Sequence, residues 1–204
     1  MLAAPRWVRQ KIGAFPYPHW ASVLLDNPIR RALENPAVTI DAIGLSGEEN
    51  VLEVGPGPGF FSVELASRLT TGHLDLFDIQ RQMLAKARDK LESAGYRNVG
   101  FHVGTAEADF PFPDNAFDVA FLAEVIGEVP DQPGCLRALA RIVKPHGILV
   151  FREAFPDPDR LSVAELRALA EPNGFSFIDG QENRWRAIAR FRRKSPELEA
   201  TLEH

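Results

Sequence analysis

The stretch Val51-Leu-Glu-Val-Gly55-Pro-Gly57-Pro-Gly59-Phe-Phe-Ser62 constrains the fold more than any other in this chain. A short apolar strand runs into three glycines, and a helical pattern leaves them, with Phe61, Leu65 and Leu69 on one stripe. Glycine tolerates positive φ and lets a ligand approach bare backbone. The helix start beyond it offers free N–H groups and the positive end of a dipole. A phosphate-binding loop would need Gly-Lys-Ser/Thr here, and the stretch has no lysine. A nicotinamide-type loop would read G-x-G-x-x-G. Here the third glycine, Gly59, comes one residue early, and Glu53 precedes the first glycine by two residues. An acid at that strand end repels a pyrophosphate and suits a ligand bearing an amine and a sulfonium.

The rest of the chain fits a strand–helix alternation. Strands are predicted at 51–54, 73–79, 99–103, 117–122, 148–151, 175–178 and 185–191, with the last two joined by the five residues Gly180-Gln-Glu-Asn-Arg184. Helices are predicted at 58–69, 81–94, 136–143 and 161–170. Ahead of these lie a helix over 20–33 and a short one over 36–44, with Asn35 as its cap and Pro36 in its first turn. Such alternation gives an α/β fold: a Rossmann-like, seven-stranded, mostly parallel sheet with helices on both faces and an antiparallel last strand. Ligands of open α/β sheets bind at the carboxyl ends of the strands. The division expected is an N-terminal helical extension or lid over 1–47, a binding domain over 48–194, and a tail over 195–204 that ends in a tag-like Leu202-Glu203-His204.

Composition removes whole classes of function. Lys and Arg number 23 against 28 Asp and Glu, a net charge of -5, so no nucleic-acid partner is expected. One cysteine, Cys135, makes neither an internal disulfide nor a thiolate zinc cluster, and no metal site is expected. The opening residues do not read as a signal peptide, and no apolar run nears the roughly 20 residues that span a bilayer. A cytoplasmic protein without stable membrane insertion is the expectation. The oligomeric state is not legible.

With these residues in view, VLEVGPGPGFFS resembles the first motif of the class I S-adenosylmethionine-dependent methyltransferases, acid-x-G-x-G-x-G. The resemblance implies S-adenosyl-L-methionine as cofactor, held by Glu53, Gly55, Pro56, Gly57 and Gly59. Asp78 ends the second strand 19 residues after Gly59. A carboxylate there can accept both ribose hydroxyls, as in the family, with Ile79 flanking the adenine; Asp78 also suits the N-cap of the next helix. The segment Gly104-Thr-Ala-Glu-Ala-Asp-Phe-Pro-Phe-Pro-Asp-Asn-Ala-Phe117-Asp is similar to the family's GDAxxLPFxDxxFD stretch, with Thr105 where an acid is usual. The adenine amine is then left to Thr105, to Ala106 or other backbone, or to Glu107. After the fourth strand, Ala123 and Glu124 fall where the family lines the methionine part of the cofactor. LRALARIVKPHGILVF is similar to the family's LREIxRVLKPGGxLxx, with His146 replacing a glycine.

Nearby signatures narrow the acceptor. The (D/N)PP(Y/F) of adenine-N6 enzymes and the Pro-Cys of cytosine-C5 enzymes are both missing after the fourth strand. What remains resembles the small-molecule methyltransferases, including those of ubiquinone and menaquinone biosynthesis. Methyl transfer is in-line displacement, governed by alignment; a base is needed only where the acceptor loses a proton. His19 and Glu128 are the candidate bases, and Tyr17 and Trp20 the candidate acceptor contacts. For Trp20, helix packing competes with that role, and for Glu128, helix capping does. A nicotinamide-dependent oxidoreductase and a non-catalytic binding module of the same fold are the rival readings. The cluster Arg184, Arg186, Arg190, Arg192, Arg193 and Lys194 reads as a solvated strand face or, alternatively, a patch for an anionic acceptor or lipid surface.

Overall fold

The computed structural model describes residues 35–106, 110–155 and 157–195. The predicted helix over 20–33, Tyr17, His19, Trp20 and Glu107 lie outside the described residues. The elements are α1 (Pro36–Asp41), β1 (Asn50–Val54), α2 (Ser62–Arg68), β2 (His73–Asp78), α3 (Arg81–Ser93), β3 (Val99–Val103), β4 (Phe117–Ala123), α4 (Gln132–Ile142), β5 (Val143–Ala154), α5 (Val163–Ala170), β6 (Phe175–Glu182) and β7 (Arg186–Arg193). Short 3-10 turns occupy Ile126–Glu128 and Glu171–Asn173.

The seven strands form one sheet in the order β3-β2-β1-β4-β5-β7-β6. The first five are mutually parallel, and β7 inserts antiparallel between β5 and β6. Strand order reverses between β1 and β4, which opens a crevice at their carboxyl ends. Strand alternation divides the core into two layers. Leu52, Val54, Ala120, Leu122, Phe151 and Phe191 pack with α4 and α5 residues. Val51, Val119, Phe121 and Val150 pack on the opposite face with Leu65 of α2 and Leu84, Ala87 and Leu91 of α3, joined by Ile40 of α1.

Local chemistry sets the element ends, and it revises several predicted boundaries. α2 starts at Ser62, not Pro58, because Gly57 and Gly59 hold φ of 53° and 81° and keep the loop out of the helical region. α3 ends in a Schellman motif: Gly95 at φ 90° donates to Glu92 O, and Tyr96 donates to Leu91 O. α4 begins four residues earlier than its apolar stripe, since Asp131 Oδ1 accepts from Gly134 N at 2.9 Å and Pro133 sits in the first turn. α5 begins after a capping box of Ser162 and Glu165. β5 is longer than predicted and bulged: it passes from Val143 to Ile148 while β4 passes from Phe117 to Val119. His146 takes a φ of 66° in that bulge, the conformation for which a glycine is the easier residue. The β6–β7 loop shrinks to Asn183–Trp185, with Asn183 Oδ1 accepting from the N–H groups of Trp185 and Arg186.

Along β7, Arg186 and Arg192 are exposed and Arg190 is half-buried, so this face of the strand is only partly covered. Arg190 pairs with Asp179 on β6 at 2.5 Å and donates to Ala42 O. No helix among the described residues is long and apolar enough to cross a membrane.

Candidate cofactor and acceptor site

A cavity of about 330 Å³ lies in the crevice, lined from the carboxyl ends of β1, β2 and β3 and by the turn after β4. Gly55, Gly57, Asp78, Ile79, Thr105, Ala106, Glu124 and Glu128 all line it. The sequence reading missed Phe77, Gln80, Met83, Gly104, Val125 and Val129. Gln80 and Met83 follow Asp78 into the first turn of α3, and their nearness to that acid was the available signal. Pro56, Gly59, Glu53 and Ala123 are not in the lining.

Each glycine of the first loop has its own reason. A Cβ on Gly55 would lie 2.4 Å from Val125 Cγ2. The turn after β4 therefore packs directly on the glycine loop. Gly57 at φ 53° has open space where a Cβ would stand, and its N–H donates to Asp78 Oδ2 at 3.3 Å. Gly59 lets α3 close in, its Cβ position being 3.2 Å from Ala87. Lys90 on α3 fixes the loop by donating to Pro58 O at 2.6 Å.

Asp78 is 7% exposed, and its Oδ1 accepts from Gln80 N at 2.7 Å. Burial pushes its carboxyl up to about 6, against the hydrogen bonds from Gln80 and Gly57. Such a group gains from further donors, which two vicinal hydroxyls would supply. Beside it, Ile79 exposes an apolar surface at the same rim. Across the cavity Gly104 approaches Phe77 so closely that a Cβ would stand 2.6 Å from the ring, and Thr105 and Ala106 continue that wall.

Glu53 sits beneath the glycine loop, on β1. It alternates with Leu52 and Val54, so it faces the α2–α3 layer and is 2% exposed. Its Oε2 accepts from Ser62 Oγ at 2.5 Å. Desolvation pushes its carboxyl up to about 8, offset by Ser62, raised further by Asp78 and lowered by Lys90. A carboxyl with a folded pKa above its ordinary 4.5 holds its proton on folding, so its stabilising share is complete below about pH 4.5 and is lost as pH rises through about 8. Glu53→Gln is expected to raise the thermal midpoint above pH 8 by at least a few degrees and to flatten its decline from about pH 5 to 8. Thermal unfolding followed across that range checks this; an unchanged slope would refute it.

Glu124 takes a left-handed φ of 59°, and its carboxylate pairs with Arg152, which is 3% exposed on β5. Its N–H donates to Arg152 O at 2.8 Å, so the turn after β4 is tied to β5 twice. Glu128 also lines the cavity, from the turn after β4, and is partly open to solvent. Desolvation by the surrounding walls, then the charges of Asp157, Asp159 and Asp78, push it up to about 7. The β5–α5 loop that carries Asp157 and Asp159 abuts this turn, since a Cβ on Gly127 would lie 2.3 Å from Asp159 O. Cys135 is buried within α4 and its thiol is pushed up to about 12, mainly by desolvation, which removes it as a nucleophile. No group of His, Cys, Asp and Glu among the described residues is arranged to hold a metal ion.

The arrangement offers a crevice lined by glycine backbone, apolar side chains and two acids whose carboxyls are pushed up, Asp78 and Glu128. Residues 45–188 match the family model for a methyltransferase domain. The ubiquinone/menaquinone biosynthesis C-methyltransferase UbiE of Haemophilus ducreyi is 31% identical over 175 residues, 81% of this chain and 67% of that protein. The same enzyme of Vibrio campbellii is 31% identical over 81% of this chain and 65% of its own length. The chain thus spans about half to two thirds of the curated relatives it matches. Among solved structures, a SAM-dependent methyltransferase from Aquifex aeolicus superposes with a TM-score of 0.80 at 25% identity, covering 87% of this chain and 99% of that one.

Proposed function

This chain belongs to the family of S-adenosyl-L-methionine-dependent methyltransferase domains, and we propose that it methylates a carbon atom of an oxygenated aromatic small molecule in the cytoplasm. The observation that carries this reading is Glu128: an acid in the cavity lining, on the turn after β4, whose carboxyl is pushed up to about 7 by desolvation and by neighbouring carboxylates. A phenol or hydroquinone attacks through ring carbon as its oxygen or that carbon gives up a proton, and a carboxylate of that pKa is suited to take it. The relatives named as C-methyltransferases agree with carbon as the acceptor atom.

The cofactor supplies an electrophilic methyl on a sulfonium, whose carbon–sulfur electron pair stays with sulfur as the new carbon–carbon bond forms. The residues of this chain bind and orient it. Asp78 accepts the ribose hydroxyls, Gly57 leaves the backbone open beside them, and Ile79 and Thr105–Ala106 flank the base. Gly55, Glu124 and Val125 bound the crevice between β1 and β4. Glu53, Pro56 and Gly59 act behind the loop, by fixing its shape. Tyr17 and Trp20 are assigned to acceptor contact, His19 to a second base, and Glu107 to the adenine rim.

The test is an assay of purified protein with S-adenosyl-L-methionine and a panel of hydroquinones, catechols and small amines. The expected result is a product one methyl heavier, bonded to ring carbon by NMR. Methylation confined to nitrogen would overturn the reading.

A further inference from the structure

The segment Phe110-Pro-Phe-Pro-Asp114, between β3 and β4, contains two prolines, which bring no N–H of their own. Within it, Phe112 N donates to Phe110 O at 2.7 Å. Its further support comes from one side chain in the last turn of α4. Arg141 Nη2 donates to Phe110 O, and Nη1 donates to Phe112 O and to Asp114 Oδ1, each at 2.8 Å. The main chain joins in, since Asn115 N donates to Arg141 O at 3.0 Å. A planar guanidinium holds such a fork in fixed geometry, which a lysine ammonium does not. The fork also stands on a firm base: Leu136, Leu139 and Ile142 of the same helix are fully buried, and Asp131 caps its start.

The rings of the clasped segment reach the wall of the cavity. Phe110 and Phe112 lie 4.9 and 6.2 Å, centroid to centroid, from Phe77, a lining residue. Phe112 also meets Phe117 and His102 edge to face, at 4.9 and 4.7 Å. Phe77 has no room to move towards Gly104, whose Cβ position is 2.6 Å from the ring. Gly104 donates to Asp78 O at 3.1 Å and leads into Thr105 and Ala106. A displaced Phe110 or Phe112 would therefore displace Phe77, and with it the wall that Gly104, Thr105 and Ala106 form. Arg141 itself is not in the lining.

We propose that Arg141 is a positioning residue for the adenine of the cofactor: it clasps Phe110–Asp114 and, through Phe77, fixes the wall at Gly104–Ala106. This rests on the assignment of Thr105 and Ala106 to the base, made above, and is independent of the methyl acceptor.

The experiment is calorimetry of the full chain with S-adenosylhomocysteine and S-inosylhomocysteine, in which an oxygen replaces the adenine amine and a donor becomes an acceptor. Wild type is expected to prefer the adenosyl compound by about tenfold or more. Arg141→Lys keeps the charge and loses the fork, and Phe112→Leu stays apolar and loses the ring beside Phe77. Each should lose most of the preference and hold the inosyl compound within about threefold of wild type. Glu165→Ala, which breaks the α5 capping box, is a destabilised control and should keep the preference. Equal losses for both compounds in Arg141→Lys, or a preference lost in Glu165→Ala as well, would mark the clasp as merely structural and overturn the proposal. So would an undiminished preference. If Arg141→Lys does not fold, Phe112→Leu decides: a retained preference refutes the route through Phe77, and a lost one supports it. A wild type blind to the base would remove adenine from this wall, and the proposal would fall with that assignment.

Discussion

Replacing Asp78 by alanine is expected to weaken binding of both S-adenosyl-L-methionine and S-adenosylhomocysteine by on the order of 100-fold or more. The reasoning starts from burial. Asp78 is 7% exposed, and its present partners are the N–H groups of Gly57 and Gln80. Two vicinal hydroxyls would add charge-assisted hydrogen bonds worth about 1.5–3 kcal/mol each, and 1.4 kcal/mol is about tenfold in affinity. The alanine also frees the Gly57 N–H, so the glycine loop loses the acceptor that shapes it. Asp78→Asn keeps one acceptor oxygen and should lose less. Because the ribose is common to both compounds, calorimetry should show equal losses for the two; a loss confined to the sulfonium would place Asp78 elsewhere. The pH dependence follows from the same group. Its carboxyl is pushed up to about 6 in the free protein, so affinity should fall as pH drops below about 6, where the acceptor takes a proton.

How much of this was legible in the sequence depends on whether the cause is local. The glycine loop, Asp78 and the strand–helix alternation could be read because positive φ, strand ends and short connections leave local marks. The N-cap at Asp131 and the capping box at Ser162–Glu165 also leave such marks, yet the apolar stripes alone put those helix starts in the wrong place. Glu53 shows a second kind of case. The motif marks it as a cofactor residue, and strand parity, also readable, puts its side chain with Val51 on the α2–α3 face, beside Ser62 nine residues later. The Glu124–Arg152 pair, the Gly127–Asp159 contact and the Phe155–Trp185 ring contact were not readable. Each joins segments far apart in sequence, and only the insertion of β7 beside β5 and the packing of the loops above bring them together.

The second large effect is expected at Glu128. Glu128→Gln should lower kcat with a hydroquinone acceptor by about 10²–10⁴-fold, the usual worth of a positioned base, and leave the affinity for S-adenosylhomocysteine within about threefold. The pH profile distinguishes a base from a binding group. Glu128 is pushed up to about 7, first by desolvation and then by Asp157, Asp159 and Asp78. A base works when deprotonated, so wild-type kcat should rise with pH to a midpoint near 7 and then level off. Asp157→Asn and Asp159→Asn each remove a negative charge that opposes ionisation of Glu128, so both should move that midpoint to lower pH. Neither residue needs to touch the acceptor for this to occur. If Glu128→Gln is slow but keeps a midpoint near 7, another group supplies the base, and His19 is the next to replace. If it is slow and the midpoint disappears, the proton leaves through Glu128, and the acid-lined turn after β4 is the catalytic wall of the crevice.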